Sequence, residues 1–575
     1  MKSSGKILLS LVVPSVVCTA CVASTLTVEK PYFRWLFGGF GFQHSEASLT
    51  AMMSDEFRDE RALKSFAEIG PSFGRVYVGF AETSKEQMDR FADYYDRTFR
   101  VADTTLYAVP CAIQSFPERL DPKAYAEKVA TNLDYLVKVR NCRKIRYYCL
   151  TNEQVAGGKW DYFRSNNQMD CYRRLNEEMF FAFRRHGLDI LLLATDIAVT
   201  SYPETEAPKS LKWAADEMND YIGAFCSHWY VYGQKTGNLS LWKGYNDYFA
   251  ELVKIALGRQ KRYILGEWGF HQVYGKPGVM IDDVKPYWRC PSNRTETVLA
   301  KMEVGLAAMN QGAYACVNWS FCDYPDPWPF EDGHSPEARA RYESAKCVWT
   351  PDLKYNKCGL FSWGTTDRDY SSCEEYYAMG YLAKLFRKGA TVLPVKSDDP
   401  LLRSGAVLNP DQSVSVVIIN RGEARQVTVD CSSFKVRHDG TPLLHQPLRR
   451  YVYEADNVPW SAFNDLQPAS GTVKSSDGSF TALLPAKSMT FFTTDYVDRI
   501  PSAVDGLVLK DGILSWTPSE DAEHRYYRVY RDGRQVASTV ATSCRVGRHD
   551  GKFSVASVDR WGNSGIVQQE RNVTK

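Results

Sequence analysis

Glu153 and Glu267 each close an apolar, strand-like run, in IRYYCLTNEQ and RYILGEWGF. Two carboxyl groups facing each other across a pocket can cleave an acetal bond. One protonates the leaving oxygen, and the other attacks the anomeric carbon or activates water. The two glutamates lie 114 positions apart, room for three βα units of roughly 38 residues each. In a (β/α)8 barrel that spacing puts Glu153 after the fourth strand and Glu267 after the seventh. Such a barrel gathers the C-terminal ends of its strands around one pocket.

The elements needed to build that barrel are legible. At 575 residues the chain is too long for one core, and two to four domains are expected. Strand-like and helix-like segments alternate over about 30–388, the pattern of a parallel α/β domain. The expected strands are Phe37–Gln43, Arg75–Gly79, Thr105–Ile113, Ile145–Thr151, Ile190–Ile197, Phe225–Tyr230, Tyr263–Trp268 and Tyr314–Ser320. Amphipathic stretches such as Ala124–Val139 and Met169–His186 lie between them, and Glu374–Phe386 completes the barrel. From 389 to 497 short β-rich runs such as Val414–Asn420 replace the helices, which predicts an antiparallel β-sandwich. A third unit over 498–575 carries GLVLKDGILSWTP, YYRVYRDGRQVA and KFSVASVDRWGNSG. It resembles a fibronectin type III module with Trp516 in its core and a hairpin turn at Asp532-Gly533.

Composition narrows the function classes. Net charge is +2 with both signs interspersed, so no basic stripe suggests a nucleic-acid partner. The 14 Trp and 34 Tyr supply aromatic faces of the kind that stack on the C–H faces of sugars, besides filling a core. Lys2 and Lys6 followed by apolar Ile7–Val17 read as an export signal over 1–23, too short to span a bilayer. Thr19-Ala20-Cys21 resembles the end of a bacterial lipobox, so Cys21 could carry a lipid, the one membrane attachment the sequence suggests. The mature chain is expected to be secreted, periplasmic or on the cell surface. Beyond Cys18 and Cys21 thirteen cysteines remain, an odd number that cannot all pair. Cys149, Cys226 and Cys316 fall in expected barrel strands as small buried residues. Cys322, Cys347, Cys358 and Cys373 could form one or two disulfides. No zinc-type spacing, HExxH or Gly-x-Ser-x-Gly motif occurs, and neither metal nor cofactor is expected.

Asn152-Glu153 after strand four and Glu267 after strand seven resemble the clan A glycoside hydrolases over about residues 35–388. Arg75 on strand two, His228-Trp229-Tyr230 on strand six and Trp319 on strand eight extend the resemblance. A barrel followed by a β-sandwich looks most like families 30 and 39, and less like family 5. GGFGFQHSE resembles the Gly-rich first strand of family 30.

The resemblance implies a retaining β-glycosidase acting on a poly- or oligosaccharide, with Glu267 as nucleophile and Glu153 as acid and then base. It further implies that Arg75 keeps Glu267 ionised, Tyr230 holds it by a hydrogen bond, and Asn152 donates to the substrate 2-hydroxyl. Trp319 would floor the sugar site, and His228 belongs to the same set. Gln43 and His44 at the end of strand one, Asp196 at the end of strand five and Trp268 beside Glu267 are further substrate-contact candidates. Trp160, Asp323, Asp326 and Trp328 are loop candidates for the rim. The alternative is a non-catalytic glycan-binding protein on the same barrel, which the presence of both glutamates argues against.

Overall fold

Eight parallel strands close into a barrel: Gly39–His44, Phe73–Tyr77, Thr105–Val109, Ile145–Cys149, Leu191–Ile197, Ile222–Tyr232, Arg262–His271 and Ala315–Asn318. The first strand pairs with the eighth, which completes the ring. This computed structural model describes residues 24–31, 36–44, 59–110, 121–152, 168–197, 206–232, 238–271, 295–322, 324–326, 354–356, 359–363, 370–434, 440, 442–454, 457–458, 460–547, 551–565 and 571–572. The expected export signal, Glu153, Trp160, Asp323, Trp328, Cys347 and Cys358 lie outside them.

Alternation along each strand sorts the side chains. Phe73, Tyr107, Val109, Tyr147, Cys149, Leu193, Cys226 and Ile264 fill the lumen. Their neighbours Leu106, Ala108, Tyr148, Leu192, Phe225 and Tyr263 join the cluster under the surrounding helices. Two of the helices start on local capping chemistry. Lys85–Arg97 opens on a Ser84/Gln87 capping box, and Pro122–Asp134 is capped by Asp121 with proline in its first turn.

The sandwich pairs a seven-stranded sheet with a four-stranded one. In Val414–Asn420, Val416 and Ile418 face the sandwich core. Val417 and Ile419 join the barrel's helix-side cluster, together with Tyr376, Tyr377 and Tyr381 of the helix Glu374–Leu385. Burial on both faces explains why this strand is apolar almost without a break. The sandwich is not confined to 389–497. Ser24–Val28 runs parallel to Arg425–Asp430 and antiparallel to Val395–Ser397, and Leu36–Phe37 pairs with Ala390–Leu393. The barrel is thus inserted after the sandwich's first two strands. Five residues whose partners lie about 400 positions away carry too little local signal to reveal this.

The third unit has sheets of three strands (Val508–Lys510, Ile513–Ser515, Ser543–Arg545) and four strands (Arg534–Thr539, His524–Arg531, Lys552–Asp559, Arg571–Asn572). Trp516 packs edge-on against Tyr527 in its core, and Asp532 and Gly533 both take positive φ at the hairpin tip. It is bonded to the barrel as well as joined through the chain. Lys64 and Glu68 of the barrel pair at 2.9 Å, and Lys64 also pairs with Asp465 of the sandwich. Tyr526 donates to Glu68 at 3.0 Å, while Arg528 and Ser538 bond Asp465 at 3.2 and 2.9 Å. One buried polar network therefore ties all three units together.

Cys142, Cys149, Cys226 and Cys316 are buried free thiols, and Cys322 and Cys373 are buried as well.

Candidate active site

Arg75 stands at the centre of the C-terminal mouth, fully buried in the second strand. A buried guanidinium costs several kcal/mol unless charges and acceptors surround it, and here they do. It ion-pairs with Glu267 and, at 3.2 Å, with Asp196. It also donates to Gln43 Oε1 at 2.7 Å, Tyr77 Oη at 3.2 Å, Asn152 Oδ1 at 2.5 Å and the Tyr107 hydroxyl. Burial opposes the charge, but Glu267, the two tyrosines and Asp196 outweigh it and push the guanidinium well above its usual range.

Glu267 receives more than Arg75. The Tyr230 hydroxyl donates to its Oε2, and His228 Nδ1 lies 3.3 Å from the same oxygen. The opposite ring nitrogen of His228 lies 2.9 Å from Asp196 Oδ1. Both imidazole nitrogens thus face carboxylate oxygens, an arrangement that favours a doubly protonated ring. Tyr107 and Cys226 also donate to Asp196 Oδ1, at 2.9 and 3.1 Å. Burial would raise the Asp196 carboxyl, but His228 and Arg75 outweigh it and hold the group well below the carboxylate range.

Two β-bulges aim the carboxylates inward. Along the seventh strand Leu265 pairs with Ser227 and Glu267 with His228, so Gly266 is the extra residue. The eighth strand shows the same irregularity from its side, Leu265 opposite Cys316 and Trp268 opposite Asn318. Strict alternation from Ile264 in the lumen would send Glu267 outward; the bulge turns it in and Trp268 out. On the fifth strand the register shifts between Thr195 and Ile197, and Asp196 takes φ 56°. Thr195 consequently faces Ser210 on a helix while Asp196 faces the lumen. Gly266 supplies space as well as the bulge, because a Cβ there would sit 2.4 Å from Cys226 Sγ and 3.2 Å from Asp196 Oδ1. At Gly269 a Cβ would collide with the Tyr230 ring at 2.6 Å, and Trp319 Cβ lies 3.6 Å off on the same side.

The structure thus brings Arg75, Gln43, Asn152, Asp196, His228, Tyr230 and Glu267 into one connected cluster, with half-buried Trp319 beside it. It does not bring in His44 or Trp268. Trp268 packs against Phe40 and donates to Lys301 O at 3.1 Å, on the helix side. His44 lies among Phe66, Phe99 and Phe321, also outside the lumen. Alternation from Gln43 already separates the two neighbours. Sequence reasoning missed Tyr107, although its place among apolar residues in TLYAV was an available signal; its register opposite Arg75 came only with the structure. Cys226 was expected only to fill space. Glu153 directly follows Asn152 but lies outside the described residues, as do the loop candidates apart from the backbone of Asp326.

Burial depresses the His44 imidazole to about 3, far below the roughly 6.5 of an exposed ring. A ring kept neutral in the folded state takes up its proton on unfolding. Its neutrality therefore costs nothing above about pH 6.5 and costs stability increasingly as pH falls towards 3. His44→Phe is expected to narrow the stability gap between pH 7 and pH 4.5 by about 3 kcal/mol, measured by chemical denaturation. An unchanged gap would refute the neutral buried ring.

Asp196, Cys226 and His228 offer three donor atoms within 4.8 Å of one another. Arg75, 3.2 Å from Asp196, already supplies the positive charge there, and a metal cation would meet its repulsion.

No protein-family model matches the sequence, and no curated protein matches it. Among solved structures the fold is similar to the GH51 arabinofuranosidase from Xanthomonas axonopodis pv. citri, at 12% identity and TM-score 0.54 over 82% of this chain and 99% of that one. It is also similar to an endo-β-1,6-glucanase, at 14% identity and TM-score 0.51 over 82% of this chain and 94% of that one. The catalytic domain of GH30 xylanase C from Talaromyces cellulolyticus matches at 14% identity and TM-score 0.50 over 82% and 99%. At such identities the likeness is one of fold: an eight-stranded parallel barrel with an antiparallel sandwich, as in clan A glycoside hydrolases of families 30 and 51.

Proposed function

We propose that the chain is an exported retaining glycoside hydrolase that cleaves β-glycosidic bonds in a poly- or oligosaccharide. The observation that carries this reading is Glu267, a lumen carboxylate held at the barrel mouth by Arg75, His228 and Tyr230. Arg75 and His228 favour its ionised form, and Tyr230 fixes the oxygen that does not pair with Arg75. A carboxylate so held can attack an anomeric carbon and leave as the glycosyl-enzyme collapses. Glu153, next to the Arg75-bound Asn152, is assigned the acid and then the base. Asn152 would bond the 2-hydroxyl, and Trp319 would lie under the sugar. Gln43 and Tyr107 hold Arg75 in place. The third unit, with its three- and four-stranded sheets, is assigned as a fibronectin type III-like module.

Retention needs carboxyls about 5–5.5 Å apart, whereas inversion needs about 6.5–9.5 Å to admit water. Purified protein is to be screened against β-glycans, and proton NMR of the first-formed product then reads the mechanism. The expected product keeps its anomeric configuration; an inverted one would overturn the assignment of Glu267 as nucleophile.

A further inference from the structure

At the opposite end of the barrel lies a cavity of 340 Å3 lined by Arg143, Lys144, Arg146, Arg262 and Lys388, and none of the described residues lining it is acidic. Its position follows from the strands. Thr105, Leu191 and Arg262, all in its wall, are the first residues of the third, fifth and seventh strands. Arg262 and Glu267 are five residues apart on one strand, about 16 Å at ~3.3 Å per residue. A molecule bound here therefore does not reach the reacting carboxylates.

The five cations are poorly compensated. Asp103 pairs with both Lys144 and, at 3.1 Å, Lys388, and Asp189 pairs with Arg146 at 2.6 Å. Two acids against five cations leave a local excess of three charges, more than the +2 of the whole chain. Arg143 has no ion-pair partner among the described residues. Arg262 has no carboxylate there either: it donates to Tyr147 Oη at 3.0 Å and lies 4.0 Å from the Tyr314 ring centroid. Those two contacts fix its guanidinium, so little side-chain entropy is lost when it binds a ligand.

We propose that this mouth is a second, non-hydrolytic binding site for an anionic glycan, whose carboxylate or sulfate groups pair with Arg143 and Arg262. A guanidinium matches such oxyanions with two parallel hydrogen bonds, and the concave wall lets several cations meet neighbouring groups of one chain. Binding here would hold the protein on an acidic polymer while the other mouth works on a chain of its own. The site does not depend on hydrolysis, so it can be tested whether or not the glycosidase reading holds.

The full chain is to be titrated with polygalacturonate, dextran sulfate, neutral dextran and phosphatidylserine vesicles, at low and high salt. Wild-type protein is expected to bind one or both charged polymers, with salt weakening the binding, and to ignore neutral dextran. The tighter of the two identifies carboxylate or sulfate as the preferred group. Arg143→Glu, at an exposed position, is expected to weaken binding about tenfold or more, the worth of one charge-assisted hydrogen bond. Arg262→Gln is expected to do the same, and Arg534→Glu, exposed on the third unit, to change nothing. Equal loss with Arg534→Glu would mean general electrostatic attraction and overturn the site. So would undiminished binding by both Arg143→Glu and Arg262→Gln, or binding to the vesicles but to neither charged polymer.

Discussion

Glu267→Ala is expected to lower turnover of any substrate the wild type cleaves by roughly 10^4-fold or more, as loss of a nucleophile does. The fold should survive, because Arg75 keeps its ion pair with Asp196 and its bonds to Gln43 and Asn152. Glu153→Ala is expected to behave differently. It removes the proton donor, which matters little when the leaving group is an activated aryl alcohol. The glycosyl-enzyme then forms and accumulates, because no base activates water. Azide should restore turnover by attacking that intermediate, giving a glycosyl azide of retained configuration. In Glu267→Ala azide would instead take the place of the missing carboxylate and give the opposite anomer. Steady-state rates with aryl glycosides and NMR of the azide products separate the two roles. Full activity in both variants would place the reaction elsewhere.

The second large effect concerns Asp196, a substrate-contact candidate by sequence that in the structure holds two residues touching Glu267. Asp196→Asn keeps the shape of the side chain and removes its charge. Arg75 and His228 then lose one of the two carboxylates they share, and His228 loses the partner that sets its ring against Glu267. A misplacement of the nucleophile of about 1 Å is worth roughly 10^2-fold in rate, and kcat is expected to fall by that order. Asp196→Ala should in addition cost about 3–5 kcal/mol of stability, the usual result of removing one partner from a buried charge cluster. The acid limb supplies a further check. A carboxyl depressed by folding contributes stability above its unfolded value near 3.9, and loses it as pH falls through the folded value. Asp196→Asn should therefore flatten the dependence below about pH 4 while leaving the His44 window above it intact. Unchanged kcat together with an unchanged acid limb would remove Asp196 from this role.

Much of this protein was legible in the chain because its signals are local. Strand–helix alternation gave the barrel, and the order Arg75, Asn152, His228, Tyr230, Glu267, Trp319 marked one end of it. The change of texture near residue 389 and the Asp532-Gly533 turn marked the β units. These depend on periods of 2 and 3.6 residues and on turn chemistry, which a sequence carries within a few positions.

What the tertiary structure decided is which way particular side chains point and what lies across from them. Simple alternation would have turned Glu267 towards the helices and Trp268 into the lumen; one extra residue at Gly266 reverses both. A second irregularity at Asp196, with positive φ, turns that carboxylate inward beneath Arg75 and His228. Bulges depend on the neighbouring strand as much as on their own, and only the glycine hints at one of them in advance. The placement of Ser24–Val28 in the sandwich and the bonding of Tyr526 to Glu68 are undetermined locally for the same reason. Each joins segments hundreds of residues apart, and burial of apolar faces, rather than any local preference, brings them together.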